Sequence, residues 1–460
     1  MIIDLVIKGG NLISRKGINR VDVGIQNGKI AKIASTLKGK EEISAAGMLV
    51  LPGGVDPHVH LEMPTEVTVT SDTWETGSKA AAFGGTTTVV DFVESRYPKQ
   101  PLLESFQERL SQAEGRSAID FSLHMTLSES NIETLQQIPG VVAAGMPSFK
   151  MYTTYKGFHL SDEEMLAAFE AISKAKGLAM VHAESDAIIQ YAVHRLKNAG
   201  RLSVRDFPLS RPASAEKEAV ERVLNLADYA DTPVYIVHIS TRSGAAAILR
   251  ARQNGQAAWG ETCPQYLLLD ENCVRTKSFN GAKFVCCPPL RTQQDQEYLW
   301  NSLTEGNLQT IGTDHCAFNF RGQKDLGKNS FLEIPSGLPG IELRLALVYT
   351  YGVKTGKLTL KQWVDLCCTT PARLFGLYPR KGEIIPGADA DIVIFDPKHS
   401  EVITHSAVHE NVDYTPYEGK KLAGKVRTTL LRGQVLIRDG VWVGNQKGGC
   451  FVRGKPIQAN

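Results

Sequence analysis

The stretch Gly53-Gly54-Val55-Asp56-Pro57-His58-Val59-His60 decides how the rest of the chain is read. It follows an apolar run, Met48-Leu49-Val50-Leu51-Pro52, and residues 48–60 together are expected to form one strand. Side chains two apart on an extended strand point to the same side. His58 and His60 are thereby brought together at a strand end, where two imidazoles can share a metal ion. The glycines and Pro57 set the backbone and allow close approach. A His-x-His pair is also what chance puts near a turn, so further ligands at later strand ends must decide.

Outward from this stretch, apolar β-branched runs recur at 87–93, 119–125, 147–152, 178–182, 233–239, 257–262 and 309–314, which with 48–60 make eight. Helical patterns such as 162–176 and 214–230 separate most of them. Ser161-Asp162-Glu163-Glu164 opens one with the acidic residues that suit a helix N-terminus. Eight strands alternating with helices predict an α/β fold, a parallel (β/α)8 barrel, with a doubly wound sheet as the alternative. The ends of the chain differ. Residues 1–50 and 381–460 carry short alternating strands broken by Gly and Asn turns. They are expected to form the two parts of a small discontinuous β-sandwich, the second with a C-terminal tail, around a catalytic barrel of 51–380.

Catalytic groups of such barrels sit at the C-terminal ends of the strands. His58 and His60 end the first strand, Lys150 lies in the fourth, His182 ends the fifth, His238 the sixth and Asp314 the eighth. Taken singly, a histidine at a strand end is more often hydrogen-bonded structure, and a lysine in an apolar run usually snorkels to water. Their joint placement points to a metal centre. Four histidines and one aspartate can supply two cations but lack a negatively charged bridge. An ammonium at Lys150 would only add positive charge. Burial favours the neutral amine, which reacts with carbon dioxide to give a carbamate, a carboxylate-like bridge. Two cations about 3.5–4 Å apart lower the pKa of a bridging water and polarise a carbonyl. Asp314 is placed to take the proton from that water and pass it to a leaving nitrogen, as amide hydrolysis requires. Tyr155, in the loop after the Lys150 strand, can donate to an oxyanion, although a surface loop tyrosine would have the same spacing.

Composition narrows the field. With 51 basic and 49 acidic residues the formal net charge is +2, and no basic tract stands out, so nucleic acid and acidic membranes are not expected partners. No apolar run reaches transmembrane length, and the N-terminus lacks a signal-peptide pattern. The eight cysteines include the vicinal pairs Cys286-Cys287 and Cys367-Cys368, which suit disulfides poorly. A cytoplasmic protein with reduced thiols is expected. His124 reads as a core histidine, and His315 as either a partner orienting Asp314 or a structural hydrogen-bonding group.

At these residues the chain resembles the cyclic amidohydrolases, most closely the hydantoinase/dihydropyrimidinase branch. The resemblance runs nearly end to end, through Pro52–His60, Phe83-Gly84-Gly85-Thr86-Thr87-Thr88, Ser148-Phe149-Lys150, Val181-His182-Ala183-Glu184, Val237-His238, Glu261-Thr262-Cys263-Pro264-Gln265-Tyr266-Leu267, Pro288-Pro289-Leu290-Arg291, Thr313-Asp314-His315 and Pro371-Ala372-Arg373-Leu374-Phe375-Gly376-Leu377. It implies the barrel with its β-sandwich and a binuclear centre of divalent ions, zinc first, with manganese or cobalt as alternatives. It further implies that Lys150 is carboxylated and that the protein forms homotetramers or homodimers. The ligand roles it implies fall on His58, His60, Lys150, His182, His238 and Asp314, and substrate contact on Tyr155. Cys287 and Ser336 stand where relatives typically carry Ser and Asn. Those positions bind the cyclic amide or ureide largely through backbone groups. Loops after His60 and Lys150, carrying Met63, Thr65, Tyr152 and His159, are expected to form a comparatively polar pocket for the ring substituent.

The implied reaction is metal-dependent hydrolysis of hydantoins or dihydropyrimidines to N-carbamoyl amino acids. Two alternatives stand beside it. One is an allantoinase, and the other is a non-catalytic scaffold of the same fold, although scaffold relatives have lost metal ligands that this chain keeps. A dihydroorotase is disfavoured because no arginine follows His58-Val59-His60 closely.

Overall fold

The strand expected over 48–60 is two strands, divided at Gly53. In the computed structural model, which describes residues 3–15, 17–65, 67–94 and 100–457, Leu49–Pro52 belongs to one sheet and Gly54–Val59 begins another. The amide of Gly53 donates to Asp391 O and that of Gly54 to Gly85 O, both at 2.9 Å. A Cβ at Gly53 would sit 2.0 Å from Thr87 Oγ1, so the crossing between sheets requires glycine here. Met1, Ile2 and residues 458–460, assigned above to the terminal segments, lie outside the described residues.

The second sheet is the barrel. Its strands, Gly54–Val59, Thr86–Val93, Asp120–Thr126, Ser148–Tyr152, Leu178–His182, Val234–Ile236, Ala258–Thr262 and Thr310–Ile311, pair in chain order and in parallel. Their continuous burial explains the unbroken apolar runs, since strands covered on both faces lose the alternation of half-exposed ones. The sixth and eighth strands are shorter than 233–239 and 309–314. His238 and Asp314 take φ of 39° and 50°, which turns the chain out of the ladder. Helices cover the outside. Asp162–Lys174 opens on a reciprocal cap between Ser161 and Glu164. Ala213–Tyr229 buries Ala219, Val220, Val223, Leu224 and Ala227 on one face.

Among the described residues the first and eighth strands share no continuous ladder, and side chains close the seam. Arg344, wholly buried, donates from Nη1 to Val55 O at 3.0 Å and to Ile311 O at 2.9 Å. Its Nε lies 3.7 Å from Asp56 Oδ2. Asp56 in turn accepts from Thr313 N–H at 3.0 Å and from Thr313 Oγ1 at 2.7 Å. Beyond these, His60 N–H donates to His315 O at 2.8 Å.

The other sheet joins the chain ends. Ile3–Ser14, Gly17–Gln26, Lys29–Ala34, Gly39–Ser44 and Leu49–Pro52 combine with Ile392–Val402, Lys421–Leu431, Gln434–Arg438 and Val441–Trp442 in one continuous nine-stranded mixed sheet. Leu49–Pro52 lies at the junction, antiparallel to Ile392–Val402 and parallel to Ile3–Ser14. Ile7, Val23, Ile30, Ile392 and Leu430 share its core. Lys381, buried beneath, bonds Asp120 of the barrel at 2.6 Å, Asp389 at 2.9 Å and Asp391 at 2.7 Å. The C-terminal tail leaves this sheet and returns to the barrel, where Val452 N–H donates to Phe121 O at 2.7 Å. All eight cysteines are free. No helix among the described residues is long and apolar enough to cross a membrane.

Candidate metal centre

The strand ends converge on a cavity of about 1070 Å³ whose wall includes His58, His60, Lys150, His182, His238 and Asp314, together with Tyr155, Cys287 and Ser336. His58, His60 and Asp314 lie closest, with one ligand atom from each within 4.8 Å of the others. Asp314 Oδ1 is 3.2 Å from His58 Nε2 and 3.3 Å from His60 Nε2. The imidazole of His238 stacks 5.5 Å from that of His58 and meets His182 edge-on at 4.5 Å. Lys150 is buried, its Nζ 4.7 Å from the Phe92 ring centroid.

Burial sets the protonation of this group. It pulls His58 and His238 well below the ordinary histidine value and lowers His182, leaving the neutral imidazoles that a metal needs. It also lowers Lys150 towards the free amine. Burial alone would raise Asp314, but His58, His60 and Lys150 outweigh it and hold the carboxylate ionised. The donor set fits a cation. His58 Nε2 and His60 Nδ1 are buried without a hydrogen-bond partner, and an unpartnered buried polar atom is costly unless something fills the gap.

Two carboxylates that shape the site, Glu261 and Glu184, carried no role in the sequence reading. Glu261 accepts from His58 Nδ1 at 2.7 Å, from His238 N–H at 3.1 Å and from Tyr235 OH at 2.9 Å. A carboxylate on one ring nitrogen fixes the tautomer and aims the other at the metal. Glu184 does the same for His182, accepting from Nε2 at 2.9 Å, and is itself paired with Arg211. His124 bonds Ser148 Oγ at 2.6 Å and Pro57 O at 2.9 Å, a satisfied core histidine bracing the backbone before His58. His315 donates from Nε2 to Asp72 at 3.0 Å, while its Nδ1 accepts from Gly340 N–H at 3.2 Å. Only spacing within motifs was visible in the sequence. Glu184 stood two residues from His182, whereas Glu261 gave no local signal for a partner 203 residues away.

Cys287 and Ser336 share a wall because Lys324 ties their segments together. Fully buried, it donates from Nζ to Val285 O and Pro335 O, each at 3.0 Å. Met63, Thr65 and Tyr152 line the cavity as expected. His159 does not. It is exposed, with its backbone bridged to Tyr152, so its imidazole adds nothing to that wall.

Known proteins match the chain over nearly its whole length. Residues 49–436 match the Amidohydrolase family. The D-hydantoinase of Geobacillus stearothermophilus is 42% identical over 452 residues, covering 97% of this chain and 96% of that protein. The D-hydantoinase of Streptomyces coelicolor is 41% identical, with 97% of each covered. The crystal structure of dihydropyrimidinase from Brevibacillus agri NCHU1002 superposes with a TM-score of 0.97 at 39% identity, over 99% of both chains. A scaffold, a motif set and a strand-end donor cluster therefore agree, and the chain belongs to the amidohydrolase family.

Proposed function

We propose that the protein hydrolyses the cyclic amide bond of hydantoins or dihydropyrimidines, giving N-carbamoyl amino acids. The observation that carries this is the cluster of His58, His60 and Asp314 in the wall of a cavity, in a chain whose full-length relatives are named D-hydantoinase. Those names favour this reading over an allantoinase.

Membership of the family brings a divalent metal centre. In our reading it holds two ions, zinc or else manganese or cobalt. His58, His60, His182, His238, Asp314 and a carboxylated Lys150 would hold them. When bound, such ions lower the pKa of water and polarise the scissile carbonyl. Asp314 then accepts the proton of the attacking water and returns it to the departing ring nitrogen. Tyr155 donates its hydroxyl to the oxyanion as the carbonyl becomes tetrahedral. Glu261 and Glu184 keep His58 and His182 turned towards the centre. The backbone at Cys287 and Ser336 offers partners to the ring amide. We further propose a cytoplasmic homotetramer or homodimer in which residues 51–380 form the catalytic unit.

Chelation is expected to abolish ring opening, and zinc, manganese or cobalt to restore it. Dihydrouracil, a racemic 5-substituted hydantoin and allantoin, assayed in parallel with products resolved on a chiral column, test the substrate class. Preference for allantoin would overturn it, as would no turnover of any of them with metal bound.

A further inference from the structure

Arg211 lies outside the ligand set, yet it touches both halves of the site. It follows the short helix Phe207–Ser210, and its guanidinium carbon lies 5.0 Å from the centroid of the Tyr155 ring. Its Nη1 pairs with Glu184 Oε2, the same oxygen that accepts from His182 Nε2 at 2.9 Å. Its own backbone is pinned by Arg291, which donates from Nη1 to the Arg211 carbonyl at 2.6 Å. Glu184 is fully buried, and only 12% of the Arg211 side chain reaches solvent. The ion pair is therefore shielded from competing water, and its geometry is held from both ends.

Tyr155 is a residue that needs holding. It takes φ of 75°, a left-handed conformation that costs a bulky side chain free energy and persists only where the surroundings impose it. Its ring also contacts His182 at 5.0 Å and Tyr152 at 5.9 Å between centroids. Neither of those contacts supplies a charge, whereas a guanidinium over an aromatic face is directional and favours the planar approach.

We propose that Arg211 is a positioning residue for Tyr155: oriented by Glu184, it holds the phenol where the oxyanion develops. One ion pair then sets both the His182 ring and the Tyr155 ring. This rests on the role given to Tyr155 above. Lysine at 211 can keep the charge opposite Glu184 but cannot stack a planar group on the ring, so the two halves of the arrangement can be separated.

The test is a mutant cycle on the metal-loaded protein with a 5-substituted hydantoin, reading metal-to-protein ratio, KM and kcat. Arg211→Lys is expected to keep its full metal complement and its KM, while kcat falls by about tenfold. Tyr155→Phe is expected to lower kcat by about 10²-fold. The double variant should be no slower than Tyr155→Phe alone, because a residue acting through a hydroxyl has nothing left to act on once it is gone. Should Arg211→Lys not fold, Arg211→Gln enters the same cycle with the same expectation of non-additivity. A full Arg211 effect in the Tyr155→Phe background would overturn the inference and leave the role of Tyr155 standing. So would a raised KM with kcat intact. Wild-type turnover by Tyr155→Phe would remove both.

Discussion

Asp314→Asn is expected to lower turnover by about 10³-fold while the protein keeps its metal. Asp314 Oδ1 already faces His58 Nε2 and His60 Nε2 at 3.2 and 3.3 Å. The substituted amide has nearly the same shape and keeps an oxygen in that place. What it lacks is basicity. Burial opposes the charge on Asp314, but the neighbouring histidines and Lys150 more than compensate, so the carboxylate is ionised and free to accept a proton. Metal content and kcat measured on one preparation separate the two roles of this residue. Unchanged hydrolysis would exclude Asp314 from proton transfer. Loss of metal together with activity would mean that ligation is its main contribution.

Lys381→Met is expected to destabilise the fold by about 3–5 kcal/mol, the range found when one partner of a buried ion pair is removed. Three carboxylates, Asp120, Asp389 and Asp391, lie within 2.9 Å of Nζ, and Lys381 is only 1% exposed. One of them belongs to the barrel and two to the segment entering the terminal sheet, so the substitution would loosen the joint between the two. The pH dependence has a definite sign. Burial disfavours the Lys381 ammonium, but Asp391, Asp120 and Asp389 raise its pKa beyond compensation. Its contribution is complete below the ordinary lysine pKa of about 10.4 and fades as pH rises through the raised value. Asp389 is held well below the usual carboxylate range despite burial, chiefly by Lys381. Its contribution is complete above about pH 4 and is lost on acidification. In Lys381→Met the three carboxylates lose their shared cation, and although Asp389 keeps Lys29 and Arg380 and Asp120 keeps Arg432, burial weighs more heavily and favours the protonated forms. The gap in thermal midpoint between variant and wild type should therefore narrow as pH falls. A gap that stayed constant, or midpoints that coincided at neutral pH, would show that the cluster contributes little.

The eight barrel strands were legible because strands buried on both faces leave unbroken apolar runs. The residues at their ends stood out because polar groups at the close of such runs are few. Residues 48–60 were misread as one strand because the apolar run 48–52 leads straight into the His-x-His stretch and only Gly53 marks the change of sheet. Its necessity arises from Thr87, a neighbour in space. The sixth and eighth strands were drawn too long because a left-handed backbone at His238 or Asp314 leaves no trace in residue type. Glu261, Arg211, Lys324 and Arg344 escaped for a common reason. Their partners are brought to them by the fold, and a charged side chain looks the same in sequence whether it faces solvent or a buried polar group. Cys287 and Ser336 were placed by resemblance alone, and the tie that unites their segments, Lys324, appears only in three dimensions.

The donor cluster also straddles the seam where, among the described residues, the first and eighth strands share no continuous ladder. His58 and His60 stand on one bank of the seam and Asp314 on the other, with Arg344 and Asp56 bridging below. A cation held by these three side chains would be a hoop as well as a reagent. It would tie the first strand to the eighth, since anything that binds the closed barrel better than an opened one favours closure by the same free energy. Stripping the metal should then speed amide hydrogen exchange along 54–60 and 310–315 more than along 178–182 on the opposite wall. Activity and mechanical closure would be lost together, from one cause.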